Sequence, residues 1–417
     1  MLTRLLPVAA VEQLAISGSN LMMVLLVARS ETRAGFGAFA LAYSTLLLAN
    51  SALMAIVLKP LIALEDRRDA DSTRRRIGIY LSMQLVLSMT MSVTVAIAGT
   101  LAGAGPTFLA LGAAILPVHA LELMRRALLQ RLAVGQALAY NFLFGVASIT
   151  GLTVLAWLGR LTGSRAFLVM SASALVAALA AAGRLGIRPV LSRGVVWAEA
   201  RRAWTFTRWS ASVTLMESLE ARGYAYLAAG VLGLSAPAVL EIGRVVLAPT
   251  NVFVFPVGNL GLPAVSYLST TGELDRVRRV VRQAVLVVAT GVGLYALATW
   301  WLAEPLLGLL YGSLYDDAIP VVRALAAAHV VLCLSGIVGL CLEGTGRPRP
   351  VFFAQMWGGI VGLAVAWLLL NTIGIIGVAG GMAAGASAAL WLKARSLRRV
   401  LTIDDAPSSS GVTTLKA

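Results

Sequence analysis

Charge is scarce in this chain. Only 13% of its 417 residues are Asp, Glu, Lys or Arg, while 59% are apolar and the mean hydropathy is +0.85. Soluble domains carry about 25% charge, so no soluble fold buries this much apolar surface. Histidine and cysteine are nearly missing, with two of each. Cys333 and Cys341 lie two helical turns apart in one apolar stretch, where a mutual disulfide would be strained. Two isolated histidines and two packed cysteines cannot assemble a metal site, so neither a metal nor a cofactor is expected. Long hydrophilic segments are also missing. The longest connection, about 184–208, is basic and carries no acidic or metal-binding motif. That argues against a membrane glycosyltransferase or polymerase, which needs an extramembrane catalytic loop. The net charge of +15 sits beside apolar spans and not on a soluble module, so nucleic acid is not an expected partner. No cleavable signal peptide is read, because Glu12 interrupts the first apolar run and no small-residue cleavage site follows it.

What the chain does have is a recurring apolar stretch of membrane-spanning length. A span needs about 20 apolar residues. Twelve are placed near 8–28, 35–59, 77–102, 106–124, 135–158, 165–183, 208–231, 236–262, 283–311, 318–342, 351–370 and 373–392, with a disordered cytoplasmic tail over 401–417. Basic residues collect in every second connection. On that side, termini included, lie twenty-seven of the 34 Lys and Arg, against four on the other side and three inside spans. The positive-inside rule then puts both termini in the cytoplasm. The arginine bias, with only three lysines, and the abundant Ala and Gly fit a GC-rich bacterial genome, so the expected location is a bacterial inner membrane. The expected fold is an all-α polytopic membrane protein, with about 12 transmembrane helices in two six-helix bundles, 1–190 and 191–400, around a central cleft. A faint repeat supports two halves. An offset of 203 carries Pro60 to Pro263, Arg75 to Arg278 and Arg76 to Arg279. With an even number of spans per half, such a repeat is parallel, about an axis along the membrane normal.

Three stretches resemble a known family. They are Ala28-Arg29 followed by Gly35-Phe36-Gly37-Ala38-Phe39-Ala40; Tyr226 to Gly233 leading to Ala248-Pro249 and Leu262-Pro263; and Leu310-Tyr311-Gly312-Ser313-Leu314-Tyr315 leading to Ala318-Ile319-Pro320 and Gly344-Thr345-Gly346-Arg347. In this order, spread over nearly the whole chain, they resemble the oligosaccharide flippase branch of the multidrug/oligosaccharidyl-lipid/polysaccharide exporter superfamily. That resemblance implies alternating access between two bundles and a polyprenyl-pyrophosphate-linked glycan as substrate, moved from the cytoplasmic to the periplasmic leaflet. Besides the lipid bilayer, polysaccharide polymerase or export proteins are implied partners. A cation-coupled multidrug antiporter of the same fold and a non-transporting component of an export complex stay open as alternatives.

Ionisable residues inside spans are costly and mark cavities or partners. Arg222, Arg244 and Arg323 fall at similar depth in the second half, and arginine forks suit phosphate oxygens. They are candidate substrate-binding residues together with Glu241. An alternative is a structural Arg222–Glu241–Arg244 network locking spans 7 and 8, with Arg323 snorkelling toward Asp316 or Asp317. Glu217 and Glu220, i and i+3 on span 7, are candidate coupling carboxylates, as is Glu12 in span 1; the alternative for the pair is a carboxylate bonded to its neighbours. His119 is read as an interface residue and His329 as a satisfied buried histidine.

Overall fold

A computed structural model of the chain describes residues 18–63, 70–101, 105–131 and 133–403. Among these residues every regular element is helical. α1 covers 18–30 and α2 Arg33–Leu53. α2 runs through a π turn, Met54–Leu58, into α3 (Lys59–Ala63). Pro60 explains the widened turn. It has no N–H to give the carbonyl one turn back, and the Lys59 N–H bonds Met54 instead. Next come α4 (Ala70–Leu101), α5 (Pro106–Gln130), α6 (Val134–Trp157) and α7 (Gly163–Leu185). The second half has α8 (Arg193–Leu232), then α9 (Ser235–Leu247) and α10 (Asn251–Thr270) either side of a 3-10 turn at Ala248–Thr250. α11 (Leu274–Tyr311), a 3-10 turn (Gly312–Ala318), α12 (Ile319–Gly344), α13 (Pro348–Ile373) and α14 (Ile376–Ile403) complete it.

The protein is therefore an all-α, multi-pass membrane protein of two six-helix bundles. Nine described stretches are long and apolar enough to cross a membrane. One of them, Leu274–Gly344, is α11 and α12 read through their connecting turn. α1 and the more highly charged α8 make up the twelve. The described helices follow the expected spans in order, residues 8–17 of the first span lying outside the described residues, and several helices outrun their spans. α8 begins at Arg193 instead of near 208, so the expected basic loop shrinks to 186–192; α11 begins at Leu274 and α14 ends at Ile403. Apolar length records only the lipid-embedded part of a helix, whereas the backbone ladder continues into basic turns beyond it. α7 stops where Gly186 takes the left-handed conformation, φ 63°, which glycine adopts at no steric cost. Residues 404–417 of the expected tail lie outside the described residues.

The helix starts reveal the repeat. From α2 to α9 the offset is 202 residues, and from α4 to α11 it is 204. From α5, α6 and α7 to α12, α13 and α14 it is 213, 214 and 213. The second half has thus gained about ten residues between its third and fourth helices, in a longer α11 and the turn Gly312–Ala318.

Without a hydrophobic drive between helices in lipid, association rests on close packing, and small residues permit it. α13 and α14 show this most clearly. A Cβ on Gly358 would lie 2.8 Å from the Gly385 carbonyl, and one on Gly381 2.6 Å from the Gly362 carbonyl. These positions repeat at i, i+4 on both helices, and the obstacles are backbone atoms that cannot rotate away. Gly381→Leu should lower stability by about 1–3 kcal/mol, read as a lower Tm of the purified protein in detergent. Gly336→Ala in α12, where a Cβ meets nothing within 4 Å, should leave the Tm unchanged or slightly raised.

Candidate functional site

The two halves are sealed at the end opposite the basic connections. Arg29, at the end of α1, donates from Nε to the Leu310 carbonyl at 2.7 Å and from Nη2 to the Leu309 carbonyl at 2.8 Å. Arg33 forms an ion pair with Asp317 and stacks its guanidinium 5.2 Å from the Tyr315 ring centroid. Phe36 meets Tyr315 edge-on at 6.1 Å. Gly37 presses on the turn between α8 and α9, where a Cβ would fall 2.6 Å from the Leu234 carbonyl carbon. Two of the stretches that carry the family resemblance, around Arg29–Phe36 and around Leu310–Tyr315, therefore meet in space as the two sides of one closure.

Below the closure lies an arginine layer. α9 places Glu241 and Arg244 one turn apart on one face, and Arg244 Nη1 donates to Glu241 Oε2 at 2.9 Å. The same nitrogen is 3.5 Å from the Ser44 hydroxyl of the first half. Glu241 is almost fully buried, with 4% exposure. Arg222 on α8 feels the Glu241 carboxylate as well as Tyr43 and Tyr226, but its Nη1 is buried without a hydrogen-bond partner. Tyr226 is itself taken up by Thr45 of the first half at 2.5 Å. The helix break at Pro249, one turn past Arg244, is the kind of interrupted span that lines transport sites.

A second layer lies nearer the basic end. Lys59, swung by the π turn, crosses to α8 and donates to Ser210 Oγ at 3.0 Å and Thr214 Oγ1 at 2.6 Å. Thr214 is eight residues before Arg222, about 12 Å along the helix. Lys393 of α14 is 1% exposed and donates to Gln355 Oε1 at 2.5 Å, Ser335 Oγ at 3.2 Å and the Ser335 carbonyl at 3.3 Å. Gln355 in turn donates from Nε2 to Glu220. Glu217 is accessible and interacts electrostatically with Lys393 and Lys59. Glu343 interacts with Glu217 and both lysines.

The structure thus separates the sequence candidates. Arg222, Arg244 and Glu241 come together; Glu217 and Glu220 belong to the lower layer. Arg323 turns to α11 and donates from Nε to the Trp300 carbonyl at 3.0 Å, while Asp317 is held by Arg33. Glu12 lies outside the described residues. His119 is fully buried and bonded to Ser88 at 2.7 Å, so it is not an interface residue. His329 bonds Thr250 at 2.8 Å. Sequence reasoning missed Lys59 and Lys393, which it counted with the flanking loops. The scarcity of lysine was the available signal.

The chain shares its fold with solved structures of membrane transporters. No protein-family model matches the chain, and no curated protein matches its sequence. Solved structures do resemble it. An inward-facing multidrug resistance MATE transporter superposes with a TM-score of 0.70 at 15% identity, covering 94% of this chain and 96% of that one. The lipid II flippase MurJ, in an inward closed conformation, gives 0.73 at 10% identity, covering 95% and 90%. An outward-facing MATE transporter gives 0.64 at 14% identity over 94% of each chain.

The closure leaves no room at Gly37. Gly37→Val should weaken the sealed state by about 1–3 kcal/mol. A cysteine replacing Ser44, just beneath the seal, should then react with an impermeant maleimide added at the sealed face roughly fivefold faster or more than in the Gly37 parent.

Proposed function

We propose that the protein is a flippase that translocates a polyprenyl-pyrophosphate-linked oligosaccharide from the cytoplasmic to the periplasmic leaflet of the bacterial inner membrane, for polysaccharide biosynthesis, by alternating access. The observation that carries this reading is the buried Nη1 of Arg222, which has no hydrogen-bond partner. Glu241, the one carboxylate in its layer among the described residues, is already engaged by Arg244 at 2.9 Å. The layer therefore holds two arginines against one glutamate and keeps a buried N–H free for an anion. A pyrophosphate supplies acceptor oxygens that suit such forks. Arg222 and Arg244 are its seat, Glu241 orients Arg244, and Arg323 joins them where its bond to Trp300 opens. With the basic end cytoplasmic, the sealed end is periplasmic. The bundles 1–190 and 191–400 then rock about the site while the polyprenyl tail stays in lipid. Glu217 and Glu220, with Glu12, are the coupling carboxylates. The lipid-linked substrate of the similarly folded MurJ supports this class of cargo.

The lower layer favours one alternative. Three carboxylates, Glu217, Glu220 and Glu343, gather with two lysines, a carboxylate-rich arrangement that suits a cation-coupled multidrug antiporter; multidrug resistance transporters are among the similarly folded structures.

Reconstituted vesicles separate the two. A fluorescent undecaprenyl-pyrophosphate oligosaccharide is followed by its protection from an impermeant modifying reagent. Wild type should flip it, and Arg222→Ala should slow flipping by about tenfold or more, the loss of charge-assisted bonds of about 1.5–3 kcal/mol. Unchanged flipping in Arg222→Ala removes the arginine from the substrate site. Cation-dependent dye efflux without flipping establishes the antiporter.

A further inference from the structure

Lys393 is an unusual residue for this chain. Only three of its 34 basic residues are lysines, and this one lies in the interior of the second bundle. It starts 17 residues into α14, about 26 Å along the axis, and its 1% exposure shows that it does not reach out to water. A long basic side chain normally snorkels. Here the whole side chain is received instead. Gly339 of α12 leaves the space: a Cβ there would stand 3.2 Å from Lys393 Nζ and 3.5 Å from its Cδ. Ser335, one turn away on the same helix, supplies the hydroxyl and the main-chain carbonyl.

The acceptors around Nζ are all hard oxygens: a main-chain carbonyl, a hydroxyl and a side-chain amide carbonyl, within 2.5–3.3 Å. The carboxylate of Glu220 stands one amide further out, received by Gln355 Nε2. The orientation of Gln355 is dictated by charge, since its N–H group must face the carboxylate and its oxygen the ammonium. Carbonyl, hydroxyl and carboxylate oxygens are also what the protein interior offers a small metal cation. The charge in the cage is a single positive unit facing Glu217, Glu220 and Glu343.

We propose that this is a monovalent-cation site filled by the protein's own tethered ammonium, so that Lys393 takes the place of a bound sodium ion between α8, α12, α13 and α14. It deepens the coupling reading of Glu220 and rests on that reading only for its consequence in transport: a cation that cannot leave makes the second bundle independent of the sodium gradient.

The test is a binding experiment without substrate, so it does not depend on the flippase assignment. Purified wild type, Lys393→Ala, Lys393→Ser and Lys393→Ala/Glu220→Gln are melted in sodium chloride or in choline chloride at matched ionic strength. Wild type should show the same Tm in both salts. Lys393→Ala, with the cage vacated and Glu220 uncompensated, should melt roughly 2 °C or more higher in sodium than in choline; Lys393→Ser should do the same. The double variant, with the carboxylate nearest the cage neutralised and only Glu217 and Glu343 left further out, should lose most of the difference. A wild type stabilised by sodium over choline overturns the proposal, whether or not either variant folds. Folded Lys393→Ala and Lys393→Ser without sodium selectivity also overturn it and leave Lys393 as a staple between helices.

Discussion

A charge inside a bilayer must be answered by protein, and this single constraint organises the structure around α8. The helix carries Ser210, Thr214, Glu217, Glu220, Arg222 and Tyr226 along about 24 Å of its length. Each meets a partner or an electrostatic neighbour from another helix: Lys59, Lys393, Gln355, Glu241, Thr45. Two of those helices belong to the first half and the rest to the second. One helix therefore holds the register of both bundles, and the ionisable groups gather in two layers, one led by arginine and one mixing lysine with carboxylate.

The seal above these layers is constructed differently. Its ion pair is weak on physical grounds, because Asp317 is 62% exposed and exposed pairs contribute about 1 kcal/mol or less. Its fit comes from backbone against backbone at Gly37 and Leu234, and from aromatic edges at Phe36 and Tyr315. Such a seal is specific in shape yet shallow in energy. It also uses the residues by which the halves differ. Tyr315 and Asp317 lie on the turn Gly312–Ala318, within the stretch of about ten residues that the second half gained. The first half supplies the matching arginines from its α1–α2 connection.

The spans were legible because burial in lipid demands an uninterrupted apolar length, and twelve such lengths stand out in order. Helix ends were not, because a basic turn such as 193–207 reads as a loop by composition although its backbone stays helical. Arg222, Glu241 and Arg244 were legible as charges in apolar surroundings. Lys59 and Lys393 were not, since each sits near the end of its apolar run and is indistinguishable there from a cytoplasmic flank. Their capture depends on a π turn and on Gly339, neither of which leaves a periodic trace. The seal was half legible: both motifs were recognisable, but only folding brings residues 281 positions apart into contact.

The division of labour between the two kinds of cation follows from their chemistry. Arginine presents a planar fork of five donors, so it can satisfy a partner such as Glu241 and still offer N–H groups to a second anion. That property suits a layer which receives a ligand and releases it. Lysine is a compact point charge with three donors, and at Lys393 three acceptor atoms face Nζ. Nothing remains to be offered. A chain otherwise so strongly biased toward arginine places two of its three lysines, Lys59 and Lys393, where hydrogen-bond acceptors of other helices enclose the charge instead of displaying it.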